Sequence, residues 1–196
     1  MSDMEEPRDV RQASWLLFAV AAVATLGALS STLSLLHLVG ARDDLYAQKV
    51  GGEEAYQTVA HVLSDLRYQL VVALATAAFG LYYGIIVGRP WPRVRIWIWV
   101  LSVPLFLAWS CGVAQSTEVT VERGSPAFPD LQAAYRNLLP GWYAGVIGLI
   151  TFLVLPLLAL VTIWLLRSGA SEYYQWAAAR HYQERSGTGG AGPTLG

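Results

Sequence analysis

The sequence predicts an all-α integral membrane protein with four transmembrane helices and short helical segments outside the bilayer. Its 196 residues are 55% hydrophobic and only 14% charged, a composition too apolar for a soluble domain. Four runs without Asp, Glu, Lys or Arg are each long enough to cross a bilayer, whose hydrocarbon core of about 30 Å takes roughly 20 helical residues. Between the second and third runs, three arginines and two prolines crowd into "VGRPWPRVR".

The four predicted spans cover about residues 14-39, 68-87, 96-114 and 142-166, within a transmembrane domain at 14-167. His37, at the outer end of the first span, is the one residue in them expected to carry charge readily near neutral pH. A cleaved signal peptide is the alternative interpretation of the first run, because an apolar stretch reaches the small residues Ala28, Ser30 and Ser31. The acidic N-terminal segment, residues 1-13, and the length of the run favour a retained helix.

Basic residues predict the direction of the spans, because those near span ends tend to stay in the cytoplasm. The N-terminal segment, the connection between the second and third spans and the tail together hold eight arginines, against five basic residues on the other side. The contrast is strongest in the connection, which holds Arg89, Arg93 and Arg95. There Pro90 and Pro92 interrupt the helix. Both termini are therefore expected inside, a topology of N-in and C-in.

Two outer segments, 40-67 and 115-141, are too short to fold as domains with cores of their own. In the first, apolar residues recur at helical spacing from Tyr56 to Leu70, so the second span is expected to begin as a helix above the membrane. In the second, "STEVTVERG" alternates polar and β-branched residues, which predicts an extended arm. Asp130 is the expected N-cap of a short helix after that arm.

The chain after the fourth span divides into two parts. Residues 168-186 combine tyrosine, tryptophan and arginine, as expected for a cytoplasmic or interfacial helix that lies on the lipid headgroups. Residues 187-196 are rich in glycine and are expected to be a disordered tail.

Small residues recur every four positions in the second span, as in the small-xxx-small motifs of packed membrane helices. This ridge consists of Thr76, Gly80, Gly84 and Gly88. Gly27 and Ser31 have the same spacing in the first span, which is the expected neighbour within the chain. A seam between two copies of the chain is the alternative. Pro104 and Pro156 predict bends at similar depth in the third and fourth spans, through the loss of a backbone hydrogen bond.

One group of residues has the chemistry of a metal site. Glu54, His61 and Asp65 are separated by seven and four positions, which places them on one helical face, and carboxylate and imidazole ligands bind divalent ions such as zinc. The alternative is the water-facing side of an amphipathic helix. The sequence contains no HExxH, CxxC, GxSxG or GxxxxGK[ST] motif, so no catalytic residue and no cofactor are predicted.

These observations favour a non-enzymatic accessory or assembly subunit that binds other membrane proteins. Lys49 is the only lysine, a bias typical of GC-rich bacterial genomes, so the expected location is a bacterial inner (plasma) membrane. The lipid bilayer is an expected partner, and nucleic acid is not, because the net charge is -1 and the basic residues are dispersed. The alternative is a small-solute or lipid transporter formed by oligomerisation, suggested by the glycine ridge and the two prolines. A third hypothesis is a membrane enzyme that uses the predicted metal ligands.

Overall fold

The computed structural model describes residues 7–47, 52–89, 91, 93–122 and 139–187, with side-chain environments for residues 7–40, 59–89, 91, 93–112, 139–167, 169–176 and 178–179. The secondary-structure elements that these residues form are all helices. The helices are α1 (Arg8–Ala47), α2 (Gly52–Ile86), α3 (Val94–Glu122), α4 (Tyr143–Leu166) and α5 (Ser168–Gly187).

Four of the helices contain segments long and apolar enough to cross a bilayer. These segments are Arg8–Gly40, Val59–Ile86, Val94–Gly112 and Tyr143–Leu166. They overlap the four apolar runs of the sequence, so the expectation of four candidate transmembrane helices is confirmed in length and composition. α2 begins at Gly52, before its apolar segment.

The expected extended arm is wrong for residues 116–122, which continue α3 as a helix to Glu122. β-branched residues favour strands when a pleated neighbour packs against them. Extending an existing helix gains one backbone hydrogen bond per residue without the cost of nucleation. Gly187, the first residue of the predicted disordered tail, is the last residue of a helix. The other tail residues, 188–196, and the predicted N-cap Asp130 lie outside the described residues.

α1 is the central helix of the bundle. It makes its most extensive contacts with α2 and then with α4, while α3 packs against α2 and α4 at the edge. In the most apolar part of α1, 44% of the residues are buried, whereas only 22% are buried in the most apolar part of α3. The core is made of large apolar side chains that are almost fully buried, among them Leu17, Leu38, Leu66, Ile98, Trp109, Leu158 and Leu165. Most side chains in the described part of α3, Val94–Gly112, are therefore at least partly exposed.

Several helix ends meet at one end of the bundle. Asp9 near the start of α1 lies 3.7 Å from Arg167, directly after α4. Tyr174 of α5 donates a 2.7 Å hydrogen bond to the carbonyl of Val87, directly after α2. The described charged side chains at this arginine-rich end are Arg8, Asp9, Arg11, Arg89, Arg93, Arg95, Arg167 and Glu172. Those described toward the opposite end are His37, His61, Asp65 and Arg67.

Candidate functional site

Gly80 and Gly84 of α2 lie against α1. A Cβ atom added to Gly80 would be 2.6 Å from the carbonyl oxygen of Leu17. At Gly84, an added Cβ would meet the ring of Phe18 at 3.1 Å. The Ser14 hydroxyl donates a 2.7 Å hydrogen bond to the carbonyl of Gly84. The two helix backbones therefore approach closely, which is the contact that small residues permit in lipid.

Gly27, Thr76 and Trp109 form a central site in which all four candidate spans meet. A Cβ atom added to Gly27 would be 3.3 Å from Ile150 of α4, 3.6 Å from Ala73 of α2 and 3.6 Å from Trp109 of α3. The indole N–H of Trp109 donates a 3.0 Å hydrogen bond to the hydroxyl of Thr76. Thr76 donates in turn to a carbonyl one turn earlier in α2, at 2.7 Å. Both polar groups are thereby satisfied within the apolar core.

The sequence patterns identified Gly27 and Thr76 as packing residues but did not identify Trp109. A tryptophan near the end of a span is expected at the membrane interface. Trp109 is instead 1% exposed, because α3 turns it toward α1 and α2. Ser31, the other small residue predicted to pack in the first span, is fully buried.

Two tyrosines of α5 cap the C-terminal end of α2. Tyr173 donates a 2.9 Å hydrogen bond to the carbonyl of Gly88, and Tyr174 donates one of 2.7 Å to Val87. The last carbonyls of a helix have no partner within that helix, so these hydroxyls satisfy acceptors that α2 itself cannot. Both tyrosines are buried, at 4% and 5% exposure. The expectation of a cytoplasmic or interfacial helix at 168-186 stays a prediction.

Arg167 connects α4 to α5 and holds the junction in place. Its backbone is extended, with φ -62 and ψ 153, so the helix is interrupted at this residue. Its guanidinium stacks on the ring of Trp164, 3.7 Å from the ring centre, and pairs with Asp9 at 3.7 Å. The pair is partly exposed, and pairs of this kind contribute at most about 1 kcal/mol. No sequence pattern linked Asp9 to Arg167, because 157 intervening positions separate them.

Tyr174→Phe is expected to loosen α5 while leaving the rest of the bundle intact. The buried ring remains, but one hydrogen bond with a typical net value of about 1 kcal/mol is lost, so local opening should become about fivefold more frequent. Hydrogen exchange of the backbone amides in α5 measures this opening. Tyr82→Phe is the control, because Tyr82 is 55% exposed on α2. Unchanged exchange in the Tyr174 variant would contradict the cap.

A groove of about 200 Å³ lies between α3 and α4. Its lining residues are Trp99, Ser102, Val103, Phe106, Leu107, Leu158, Ala159 and Thr162. Pro104 and Pro156, the predicted bends, lie inside these two helices close to lining residues. The bends themselves stay a prediction.

His61 and Asp65 are neighbours on α2, as their spacing predicted. The Nε2 atom of His61 lies 3.7 Å from Oδ2 of Asp65, and the side chains are 68% and 30% exposed. The side chain of Glu54 lies outside the described residues. Among the residues that the structure describes, no three His, Cys, Asp or Glu side chains come together as metal ligands. The three-residue metal site therefore stays a prediction.

α4 carries glycines that the sequence analysis did not single out. Gly145 and Gly148 are exposed, and a Cβ atom added to either would meet no described residue within 4 Å. The neighbouring Leu149 and Phe152 are 59% and 74% exposed. We call these four residues the glycine face of α4. The signal in the sequence was the GxxxG spacing of Gly141 and Gly145, which resembles the ridge of α2.

The fold defines this chain as a helical protein with four candidate transmembrane helices. Comparison with protein-family models, curated proteins and solved structures finds no match. Function must therefore be inferred from the surfaces and contacts of the chain itself. The central site, Gly80 and Gly84 pack within the chain, whereas no described residue covers the glycine face or the open side of the groove between α3 and α4.

Proposed function

We propose that this chain is a non-enzymatic accessory or assembly subunit of a bacterial inner membrane, and that it binds a transmembrane helix of another membrane protein. The observation that carries the proposal is the glycine face of α4. Gly80 and Gly84 are covered by α1, whereas no described atom lies within 4 Å of a Cβ added to Gly145 or Gly148. They are available for close contact with a partner helix.

The physical argument rests on how helices associate in lipid. Apolar surface gains little there from leaving the solvent, so association depends on van der Waals contact and close backbone approach. Gly145 and Gly148 permit that approach, and Leu149 and Phe152 beside them supply side chains that can interdigitate with a neighbour. A glycine inside a helix costs about 1 kcal/mol relative to alanine. No contact among the described residues offsets that cost, but contact with a partner would.

The substitution Gly148→Leu is expected to weaken binding of the partner protein. The tagged full chain, purified in mild detergent, should carry a second protein in stoichiometric amount. The leucine would fill the space that the partner backbone needs, and recovery of the partner should fall by about tenfold, which corresponds to 1.4 kcal/mol. Ala78→Leu on α2 is the matched control, because Ala78 is also exposed and the same side chain is added.

Two results would contradict the proposed function. The first is a lone monomer of the wild-type chain in native mass measurements. The second is a complex of identical chains only, which would indicate a homo-oligomer in place of an accessory subunit. Equal partner recovery in the Gly148 variant and in wild type would disprove the role of the glycine face.

We further propose that the arginine-rich end faces the cytoplasm, with both termini inside. Six described arginines and two described carboxylates lie at that end, whereas Arg67 and Asp65 balance each other toward the opposite end. Arginines near span ends resist translocation, so the unbalanced end stays inside.

Cysteine labelling tests this topology. In a Cys111→Ser background, His61→Cys should react with a membrane-impermeant maleimide in intact cells, because His61 is exposed toward the outer end. Arg93→Cys, in the connection after α2, should react only after the membrane is permeabilised. The opposite pattern would reverse the topology, and reaction of both in intact cells would refute the four-span arrangement.

The alternative function, a small-solute or lipid transporter formed by oligomerisation, stays a prediction. One of its two motivations was the glycine ridge of α2. α1 covers that ridge at Gly80 and Gly84, so a second copy would have to use another surface. The outer-face enzyme also stays a prediction.

A further inference from the structure

The groove between α3 and α4 is lined by hydrocarbon and opens sideways. Ser102 and Thr162 use their hydroxyls within their own helices, donating to carbonyls one turn earlier at 2.6 Å and 3.0 Å. Val103 and Leu107 on the open side are 60% and 57% exposed. A volume of about 200 Å³ is smaller than the roughly 300–1,000 Å³ of typical small-molecule sites. The groove therefore suits a segment of hydrocarbon chain that enters from the bilayer.

An arginine lies beside the groove, on the side of the arginine-rich end. Arg95 is one turn before Trp99, and its guanidinium carbon is 5.9 Å from the centre of the Trp99 ring that lines the groove. The described residues include no carboxylate within salt-bridge distance of Arg95, whereas Arg167 is paired with Asp9 at 3.7 Å. A guanidinium without a carboxylate at the edge of the hydrocarbon region is suited to bind a phosphate group.

We propose that the groove and Arg95 bind one anionic diacyl phospholipid of the bilayer, with an acyl chain in the groove and the phosphate on Arg95. Charge complementarity favours this occupant, because the surplus of arginines over carboxylates described at this end attracts a headgroup with net negative charge. Basic pockets between membrane helices are a known form of headgroup recognition. The inference requires that the four helices lie in a bilayer, and it does not depend on the proposed partner subunit.

Competition between two lipids tests the site. The full chain in detergent is given equal amounts of phosphatidylglycerol and phosphatidylethanolamine with identical acyl chains, and native mass spectrometry measures what is retained. Wild type should keep one phosphatidylglycerol per chain, with a preference of about fivefold, which equals about 1 kcal/mol. Arg95→Gln should lose this preference and still retain lipid. Ala159→Leu, which fills the groove, should lower retention of both lipids by about tenfold.

Controls separate a defined site from general attraction to positive charge. Arg11→Gln removes an exposed arginine at the same end on α1 and should leave the preference unchanged. Circular dichroism and gel filtration verify that each variant is folded. Equal loss of preference in the Arg11 and Arg95 variants would overturn the proposal. So would equal retention of the two lipids by wild type, or full lipid retention by a folded Ala159 variant.

Discussion

Replacing Gly80 with alanine is expected to destabilise the helix bundle by about 3 kcal/mol, at the upper end of the cost of adding a methyl group to a packed core. The new Cβ would lie 2.6 Å from the carbonyl oxygen of Leu17 and 2.9 Å from the backbone nitrogen of Ala21. These are backbone atoms of α1, so no side-chain rotation relieves the contact and the two helices must move apart. Unfolding by sodium dodecyl sulfate in mixed micelles, followed by tryptophan fluorescence, measures the loss.

Two further glycines provide graded controls. Gly84→Ala should cost about 1 kcal/mol, because its Cβ meets the Phe18 ring at 3.1 Å and a ring can shift. Gly148→Ala should cost nothing and can gain up to about 1 kcal/mol, because alanine has the higher helix propensity and no described atom lies within 4 Å. Equal stability of the Gly80 and Gly148 variants would show that α1 and α2 do not cross at Gly80.

Trp109→Ala is expected to cost about 4 kcal/mol, the usual loss when a buried tryptophan is truncated in a core. The indole is 1% exposed. It lies beside Gly27 of α1 and donates a hydrogen bond to Thr76 of α2, so its removal leaves a cavity where all four candidate spans meet. The hydrogen bond to Thr76 accounts for a small part of this loss of stability. Thr76→Val, which removes the acceptor, should cost only about 0.6 kcal/mol, the average for such bonds in membranes.

A second tryptophan on α3 is the matched control. Trp97 is 53% exposed, and Trp97→Ala should change the free energy of unfolding by less than about 1 kcal/mol. The same detergent unfolding series measures both variants. If both substitutions lowered stability equally, Trp109 would not be the residue that anchors α3 to the bundle.

Much of the fold could be predicted from the sequence, and much less of the candidate sites. Apolar run length predicted four candidate spans, because the thickness of the hydrocarbon region sets the length of a helix that crosses it. The four-residue spacing of Gly80 and Gly84 indicated close packing, and the structure has α1 against both. The cap on α2 could not be predicted, since Tyr174 and Val87 are 87 positions apart.

Local sequence preference was misleading in one region and incomplete in another. "STEVTVE" resembles a strand in its alternation, but it extends α3, because helix propagation from a stable segment outweighs the preference of its β-branched residues. The aromatic composition of the tail predicted a helix on the lipid headgroups, which stays a prediction, but it did not reveal that Tyr173 is buried within the chain. In the first region the decisive hydrogen bonds lie within α3 itself, and in the second the decisive contacts are with another part of the bundle.

The sequence by itself determined that this chain forms four long apolar helices and that three arginines mark one connection, because hydropathy and charge are properties of short segments. Only the tertiary structure decided which helix surfaces meet. Gly80 and Gly145 both belong to GxxxG spacings, but the first lies against the backbone of α1 and the second has no described atom in front of it. The physical reason is that, in hydrocarbon, every face of a helix is apolar, so the pattern that separates core from surface in water is absent.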